Sequence, residues 1–299
     1  MAKRNKIVFF FLIFYGLTCY AYGFLREKKI INGDVIEKIE FGEINWSTGV
    51  LKVYAVQKLP PVVKDSFHYN SIAVKSKAEA RLTAFRKAKE LCKKNLVNAV
   101  YNLRIEGNYF IKNYLLTATN EFKFKLNSYI DNIKTYKKIY NTDNSITVTC
   151  SIKLWGKGSL LSAVINKDII PENPKINISM RSNIEPQIFS GLMIDARHIK
   201  NFYPSLNPEI YDRHNNLIYS VSIMYTDAYK FNGPAKFIGD TSKIENIKFL
   251  NSNVLTIRAV KKKNNTSLVI SDDAVNELLA SPRTFENLKQ GKVVILIGK

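Results

Sequence analysis

Apolar and polar residues alternate in the stretch INWSTGVLKVYAVQKLPP at 44–61, which is typical of two β-strands joined by a tight turn. Ser47, Thr48 and Gly49 have the composition of the turn, and Pro60 and Pro61 end the second strand because proline cannot donate to a sheet. The pattern therefore predicts a β-hairpin.

A period of three to four residues follows the hairpin and predicts a long amphipathic helix. The apolar positions are Ala78, Leu82, Phe85, Ala88, Cys92, Leu96 and Ala99. Lys and Arg occupy much of the remaining surface. The small, Ala-rich face favours packing against a sheet, and a basic helix lying on a membrane surface is the alternative.

The next stretch predicts a short strand in NLRIEGN, a helix at about 110–124, and two strands around a turn at 141–144. The order of elements up to this point is strand, strand, helix, strand, helix, strand, strand. A mostly antiparallel sheet with helices on one face follows from that order.

Periodicity is lost between 156 and 187, where glycine and proline are concentrated, so a linker with one short helix near 160–164 is predicted. Short strands then resume, with a helix that begins after Ser271. The predicted strands are 192–196, 209–211, 217–225, 254–261, 267–270 and the closing KVVILIG.

The sequence thus predicts an α+β protein with two small α+β domains. The first, 24–155, combines an antiparallel sheet with the long Ala-rich helix, and the second, 188–299, is rich in strands. The chain of 299 residues is long enough for two hydrophobic cores.

The amino terminus has the pattern of a secretory signal peptide. Three basic residues precede an apolar run at 7–17, and the small residues Ala21 and Gly23 follow it. The run is shorter than the ~20 residues that a membrane-spanning helix needs. A signal peptide at 1–23 predicts a location in the periplasm or outer envelope, and the alternatives are a retained anchor or a lipid on Cys19.

The formal charge of +20 predicts attraction to polyanions. Export excludes nucleic acid as a natural partner and leaves anionic membrane surfaces, acidic cell-wall polymers or an acidic protein. The lysines are scattered along the chain, so a compositional bias towards Lys, Asn and Ile is an equally good explanation of the charge.

The sequence contains no motif that predicts an active site, a cofactor site or a metal site. His68, His198 and His214 lack metal-ligand spacing, and Cys92 and Cys150 are not in a Cys-x-x-Cys motif. Phosphate-loop spacing and the nucleophile elbow are also absent from the sequence. Both cysteines fall on apolar faces, which favours buried thiols, although an oxidising compartment would allow them to pair.

The stretch GLMIDARH at 191–198 contains two charged residues that could form either a reactive site or a structural ion pair. On a strand, Asp195 and Arg197 would point to the same face and could form an ion pair. A structural role for the pair is favoured over a catalytic role because the sequence offers them no catalytic partners.

Two stretches resemble a known family. The hairpin that contains Trp46, together with AEARLTAFRKAKELCKKNLVNAV, resembles the amino-terminal domain of the lipoprotein-20/FlgT family. The stretch SGLMIDARHIKNFYPSLNPEIYDRHNNLIYS resembles the second domain of exported relatives, with matches at Gly191, Asp195, Ala196, Arg197, Pro204, Leu206, Pro208, Asp212 and Tyr219. His198 and Asn216 stand where that pattern has glycine.

The resemblance implies a non-enzymatic envelope protein that acts through contacts with envelope or flagellar proteins. For FlgT, it implies a part in assembling the periplasmic ring around a flagellar motor. Trp46, Asp195, Arg197 and Tyr219 are accordingly predicted to be structural residues, and the oligomeric state is not predicted.

Overall fold

The computed structural model describes residues 26–63, 74–133, 136–164, 187–247 and 253–298. The predicted signal peptide, His68 and most of the predicted linker lie outside these ranges. Within them, no helix combines the length and the apolar character that crossing a membrane requires.

Sixteen strands and seven α-helices make up the described part of the chain. The strands are β1 Glu27–Ile31, β2 Asp34–Ile39, β3 Gly42–Asn45, β4 Val50–Lys58, β5 Arg104–Glu106, β6 Tyr109–Phe110, β7 Tyr136–Tyr140, β8 Ser145–Lys153, β9 Leu192–Ala196, β10 Glu209–Tyr211, β11 Leu217–Tyr219, β12 Lys236–Ile238, β13 Leu255–Arg258, β14 Lys261–Asn264, β15 Ser267–Val269 and β16 Val293–Ile297. The helices are α1 Lys77–Tyr101, α2 Ile111–Tyr114, α3 Asn120–Asp131, α4 Leu160–Ala163, α5 Thr226–Asn232, α6 Asp272–Leu279 and α7 Pro282–Lys289. The α+β class is therefore confirmed.

The amino-terminal strands β1, β2, β3, β4, β8 and β7 pair antiparallel, which the order of elements predicts for β3, β4, β8 and β7. The first hairpin, β1–β2, turns at Asn32 and Gly33, whose φ angles of 50° and 78° suit a tight turn between strands. Gly42 is needed where β3 meets β4, because a Cβ there would lie 2.1 Å from the carbonyl oxygen of Lys52. The predicted hairpin of β3 and β4 is confirmed.

Helix α1 packs on β4 and β8, which confirms the predicted core helix. The Oγ of Ser76 caps its first turn by accepting the N–H of Glu79 at 3.1 Å. Its buried face consists of Ala80, Ala84, Ala88, Cys92, Asn95, Leu96, Ala99 and Val100. The predicted face is thus wrong at the start of the helix, where Ala78 and Leu82 are exposed, Leu82 by 49%. Small alanines at a four-residue step bring this part of the helix close to the sheet.

The single helix predicted at 110–124 is wrong. The chain forms two helices there, α2 and α3, and breaks between them at 115–119. Thr119 caps α3 by accepting the N–H of Phe122 at 3.2 Å, so a new helix begins inside the predicted one. The hairpin of β7 and β8 and the short helix α4 lie where they are predicted.

We call the described residues up to 164 the amino-terminal segment and those from 187 onwards the carboxyl-terminal segment. The carboxyl-terminal segment differs from the amino-terminal one in having parallel strands. β13, β9, β16 and β12 pair parallel in that order, and β10 pairs parallel with β15. Strands β9, β10 and β16 and the helix after Ser271 are confirmed, while the strand predicted at 217–225 ends at Tyr219 and continues as a 3-10 helix, Val221–Ile223. The single strand predicted at 254–261 is wrong, because the chain forms β13 and then β14 there. Helices α5 and α7 and strands β1, β2 and β12 carry no prediction from the sequence.

The two segments share one sheet and one hydrophobic core. Strand β12 pairs with β2 through Ile238 and Asp34, and this contact completes a ten-stranded sheet in the order β13-β9-β16-β12-β2-β3-β4-β8-β7, with β1 paired to β2. The largest cluster of buried apolar residues contains side chains from both segments, from Val35 in β2 to Ile297 in β16. The predicted domain boundaries stay predictions, but the described strands do not form two separate cores.

Candidate functional site

Asp195 is the last residue but one of strand β9 and forms the predicted ion pair with Arg197, which lies in the turn after the strand and not on the strand itself. Its Oδ1 accepts the Nε–H of Arg197 at 2.9 Å and its Oδ2 accepts from Nη2 at 2.6 Å. Oδ1 also accepts the backbone N–H of Arg197 at 3.0 Å. These hydrogen bonds and the charge of Arg197 lower the pKa of Asp195 to about 2.

The pair lies at the carboxyl ends of the parallel strands. Asp195 stands between Arg258 of β13 and Leu296 of β16 in the sheet, and Arg258 Nε donates to Nδ1 of His198 at 3.4 Å. Asp195 with Arg197, and Arg258 with His198, thus form two neighbouring polar pairs at this end of the sheet. The contacts of Asp195 hold the turn, which is the geometry of a structural pair.

Tyr219 is fully buried and its hydroxyl donates to the carbonyl of Pro234. Its hydroxyl oxygen also lies 3.2 Å from Sδ of Met224. Burial raises the pKa of Tyr219 well above its usual range, so the phenol stays protonated. The residue thereby ties β11 to the loop before β12.

Trp46 is also fully buried and contacts both segments. Its indole Nε1 donates to Oε2 of Glu37 at 2.8 Å, and its ring meets Phe237 of β12 edge to face at 6.0 Å. The adjacent Ser47 donates its hydroxyl to the carbonyl of Phe237 at 2.5 Å. The turn after β3 is therefore attached to the strand that joins the two segments.

A buried ionic network surrounds Glu37 and was missed by the sequence analysis. Oε1 of Glu37 lies 2.9 Å from Nη1 of Arg26 and 3.6 Å from Nη2 of Arg104, while Glu37 itself is fully buried. Arg104 packs over the rings of Tyr203 and Phe110. Burial lowers the pKa of Arg104 and the charge of Glu37 opposes that shift.

The signal for this network is present in the sequence. In the stretch DVIEKI, Val35, Glu37 and Ile39 occupy alternate positions and therefore lie on the same face of a strand. A strand that buries the two apolar residues must also bury the carboxylate. A carboxylate on the inner face needs a cation, because burying an unpaired charge is costly. The identity of its partners depends on the tertiary fold.

The loop before β10 adds polar contacts between the segments. Asn207 donates its N–H to the carbonyl of Ile105 at 2.8 Å and its amide to Oε2 of Glu106 at 2.7 Å. Burial and the neighbouring Glu209 raise the pKa of Glu106. Glu209 in turn accepts from the hydroxyl of Ser267 at 2.9 Å, a contact between β10 and β15. The contacts of Asn207 with Ile105 and Glu106 are therefore the ones that join the segments here.

Cys92 and Cys150 are buried thiols whose Sγ atoms lie 3.0 Å apart, across the contact of α1 with β8. The hydrogen bond between them and their burial raise the pKa of Cys150. Both interpretations of the sequence are thus compatible with the fold, because the two sulfur atoms are adjacent.

One cluster combines residue types that bind metal ions. Asp212, His214 and Asp272 each bring a ligand atom within 4.8 Å of the others. Asp212 is already engaged in its own turn, since its carboxylate accepts the N–H groups of His214 and Asn216 and the side-chain amide of Asn216. The cluster is therefore explained as a turn stabilised by an aspartate.

An open groove lies between α3 and the end of β8. Its lining residues are Phe124, Lys125, Ser128, Tyr129, Asn132, Ile133, Ser151, Ile152, Lys153, Gly158 and Ala163. Burial raises the pKa of Tyr129 to about 12, so its phenol stays protonated at neutral pH. None of the four residues predicted to be structural lies in this lining.

The face of the amino-terminal sheet opposite α1 is the most distinctive exposed surface. Two rows of side chains cross it from β4 through β8 to β7: Tyr54, Thr149 and Lys137 in one row, and Val56, Thr147 and Ile139 in the next. Tyr54, Val56 and Ile139 are exposed by 43%, 49% and 50%. We call this surface the outer face.

Comparison with known proteins identifies one relationship. Residues 191–299, which include β9 with Asp195 and continue through β16, match the family described as the second domain of Treponema pallidum Tp0624. No curated protein matches the chain. The resemblance of the amino-terminal segment to the lipoprotein-20/FlgT family stays a prediction. The carboxyl-terminal third of the chain is therefore similar to a domain of a bacterial protein family.

Proposed function

We propose that this chain is a non-catalytic structural protein of the bacterial envelope that acts through contacts with other proteins. The observation that carries the proposal is the outer face, where the apolar side chains of Tyr54, Val56 and Ile139 are exposed on either side of Thr147 and Thr149. Exposed apolar side chains grouped among polar ones are typical of interaction sites in soluble proteins. The predicted signal peptide supports an envelope location, and the family match of residues 191–299 supports a bacterial protein.

Crosslinking in intact envelopes tests the proposal. We expect Tyr54→Glu to reduce the recovery of crosslinked envelope proteins, because it places a charge on the contact surface that a bound partner would bury. Phe231→Glu is the matched control, since Phe231 on α5 is an aromatic residue exposed by 51%, compared with 43% for Tyr54. Both variants should keep the melting temperature of the unmodified protein. Equal recovery from the two variants, or no recovered protein at all, would overturn the proposal.

A narrower form of the proposal assigns the chain to the assembly of a flagellar motor. It rests on the resemblance of the Trp46 hairpin and α1 to the lipoprotein-20/FlgT family. Deletion of the gene should then abolish motility while cell growth is unchanged. Unchanged motility would exclude this narrower role and leave the general one intact.

A second candidate function, supported by the net charge of +20, is a surface-exposed or outer-membrane-associated protein that binds a polyanion. Protease added to intact cells separates the two, because it should digest a surface protein and spare a periplasmic one. Retention on phosphatidylglycerol vesicles that disappears at high salt would support the second function.

A further inference from the structure

Helix α1 and strand β7 meet along a strip in which cations and aromatic rings alternate. Arg81 lies 5.1 Å from the ring centre of Tyr140, Lys138 lies 5.2 Å from that of Phe85, and Lys89 lies 4.8 Å from that of Tyr136. The three helix residues are four positions apart, and the three strand residues are two positions apart and run in the opposite direction. We call these six residues the cation–aromatic strip.

The backbone of β7 is open on the side next to this strip. Asn141 donates its N–H to the carbonyl of Ser145, so these two residues form a hydrogen-bonded pair of the β7–β8 hairpin. Hydrogen-bonded and non-hydrogen-bonded pairs alternate along an antiparallel ladder, and this pair therefore fixes the type of every other pair. The hydrogen-bonded partners of β8 are then Lys137 and Ile139, so the backbone groups of Tyr136, Lys138 and Tyr140 point away from β8. Among the described strands, none pairs with this edge.

The charge of the edge is unbalanced. Arg81, Lys89, Lys137 and Lys138 form no ion pair with a carboxylate in the ranges that the structure describes. Three of these cations belong to the strip, and Lys137 projects from the opposite face of the same strand. A strand that pairs here thus meets positive charge on both faces.

We propose that the open edge of β7 binds an extended acidic segment of a protein partner as an added antiparallel strand. This inference rests on the proposed function and specifies the chemistry of the partner. Free N–H and C=O groups supply the affinity, as in other cases of strand addition, and the cations select acidic side chains. The acidic side chains lie over the cation–aromatic strip, at alternate positions of the bound segment.

A second copy of this chain is a poor occupant for the same reason. Two copies would bring their lysines together at the edge, and each chain carries a net charge of +20. Lysines on an edge strand also oppose edge-to-edge pairing between like sheets. An acidic partner is instead attracted both by the net positive charge of the chain and by the lysines of the edge strand.

Binding of a designed peptide to the purified protein tests the geometry. The probe is a fluorescent seven-residue peptide of alternating Thr and Glu. Its Glu residues should pair with Tyr136, Lys138 and Tyr140, since paired residues share a face in an antiparallel ladder. Methyl groups on the Glu backbone nitrogens should therefore weaken binding by about tenfold or more, because each removes a hydrogen bond to the edge. Methyl groups on the Thr nitrogens, which point outwards, should leave the affinity unchanged.

Two variants of Lys138 separate the roles of charge and backbone. Lys138→Glu should weaken binding by about tenfold, whereas Lys261→Glu, the same charge reversal at an exposed site on β14, should have little effect. Lys138→Pro removes the outward N–H and should also weaken binding without melting the β7–β8 pair, because proline is tolerated at that position of an edge strand. Unchanged thermal unfolding confirms that the fold is intact.

Equal affinity of the two methylated peptides, or equal effects of Lys138→Glu and Lys261→Glu, would overturn the inference. So would self-association that disappears in Lys138→Glu, or vesicle binding that depends on Lys138 when the peptide does not bind. Recovery of proteins from crosslinked envelopes separates failure of the proposed function from failure of this inference. If the peptide binds as expected but no envelope protein is recovered, the proposed function fails while the edge remains competent to add a strand.

Discussion

Trp46, directly after β3, donates its indole N–H to Glu37 of β2 at 2.8 Å, in the interior of the amino-terminal sheet. The other oxygen of the same carboxylate lies 2.9 Å from Nη1 of Arg26. One buried anion thus holds an aromatic ring that packs against β12 and a cation from the start of the described chain.

Replacing Glu37 by Gln tests the strength of this network. The amide can still accept from Trp46, but Arg26 and Arg104 lose their counter-charge in the interior. We expect the free energy of unfolding to fall by about 3 kcal/mol, because breaking a buried ion pair leaves an uncompensated charge. Urea denaturation at pH 7 measures it. Glu27→Gln on the exposed β1 is the control and should be nearly neutral.

The pair of Asp195 and Arg197 predicts a small dependence of stability on pH. The pKa of Asp195 is about 2 in the folded chain and about 3.9 in an unfolded one, so the folded state favours the carboxylate. The contribution is present above pH 4 and is lost as the pH falls towards 2. Since the pair is exposed, Asp195→Asn should lower the free energy of unfolding by about 0.2–1 kcal/mol at pH 7.

Denaturation of the unmodified protein and Asp195→Asn between pH 7 and pH 2 provides the measurement. The two stabilities should converge at the acidic end. A difference that persists at pH 2 would show that the ion pair is not its cause. Loss of partner recovery at full stability would instead reveal a binding role for Asp195.

The orientation of α1 predicts opposite outcomes for two similar substitutions. Ala88→Asp buries an unpaired carboxylate between the helix and the sheet and should prevent folding. Leu82→Asp changes an exposed side chain and should alter stability by no more than about 0.5 kcal/mol. Soluble yield and thermal unfolding distinguish them. Equal damage from both would mean that Leu82 is covered.

The adjacent sulfur atoms of Cys92 and Cys150 predict a disulfide under oxidising conditions. Oxidised glutathione would accept two electrons from the thiols and leave as two molecules of reduced glutathione. The protein mass should fall by about 2 Da, and the free energy of unfolding should rise by about 2–4 kcal/mol because the link closes a long loop. Cys150→Ala should abolish both effects. Two thiols that stay unreacted in the folded protein would contradict the prediction.

Local patterns were sufficient to predict two hairpins and the long helix, whereas the hairpin of β1 and β2 was not predicted. Turn residues and a two-residue period identify β3 with β4 and β7 with β8, and a helical period identifies α1, because each pattern depends on neighbours in the chain. The buried face of α1 was predicted wrongly at Leu82, which is exposed. The helix instead buries the alanines at 80, 84 and 88, because these small side chains allow a closer approach to the sheet than a face containing leucine. Local sequence does not encode that choice.

Long-range relationships could not be predicted in the same way. The pairing of Ile238 with Asp34 joins residues from different segments, and no periodicity in either strand specifies the other. The Glu37 network has the same origin, since Arg26 and Arg104 approach it only in the folded chain. Asp195 and Arg197 were predictable as a pair because they are two positions apart in the sequence, with only Ala196 between them.

The pairing of β2 with β12 also constrains the order of events during synthesis. Ile238 is made roughly 200 residues after Asp34, and β16, which lies between β9 and β12, is made later still. The nascent chain therefore carries an unfinished sheet with exposed strands until residues 293–297 have been made. Over that time its exposed apolar strands and unpaired edges make it prone to aggregation, and it remains available to any machinery that handles unfolded polypeptides.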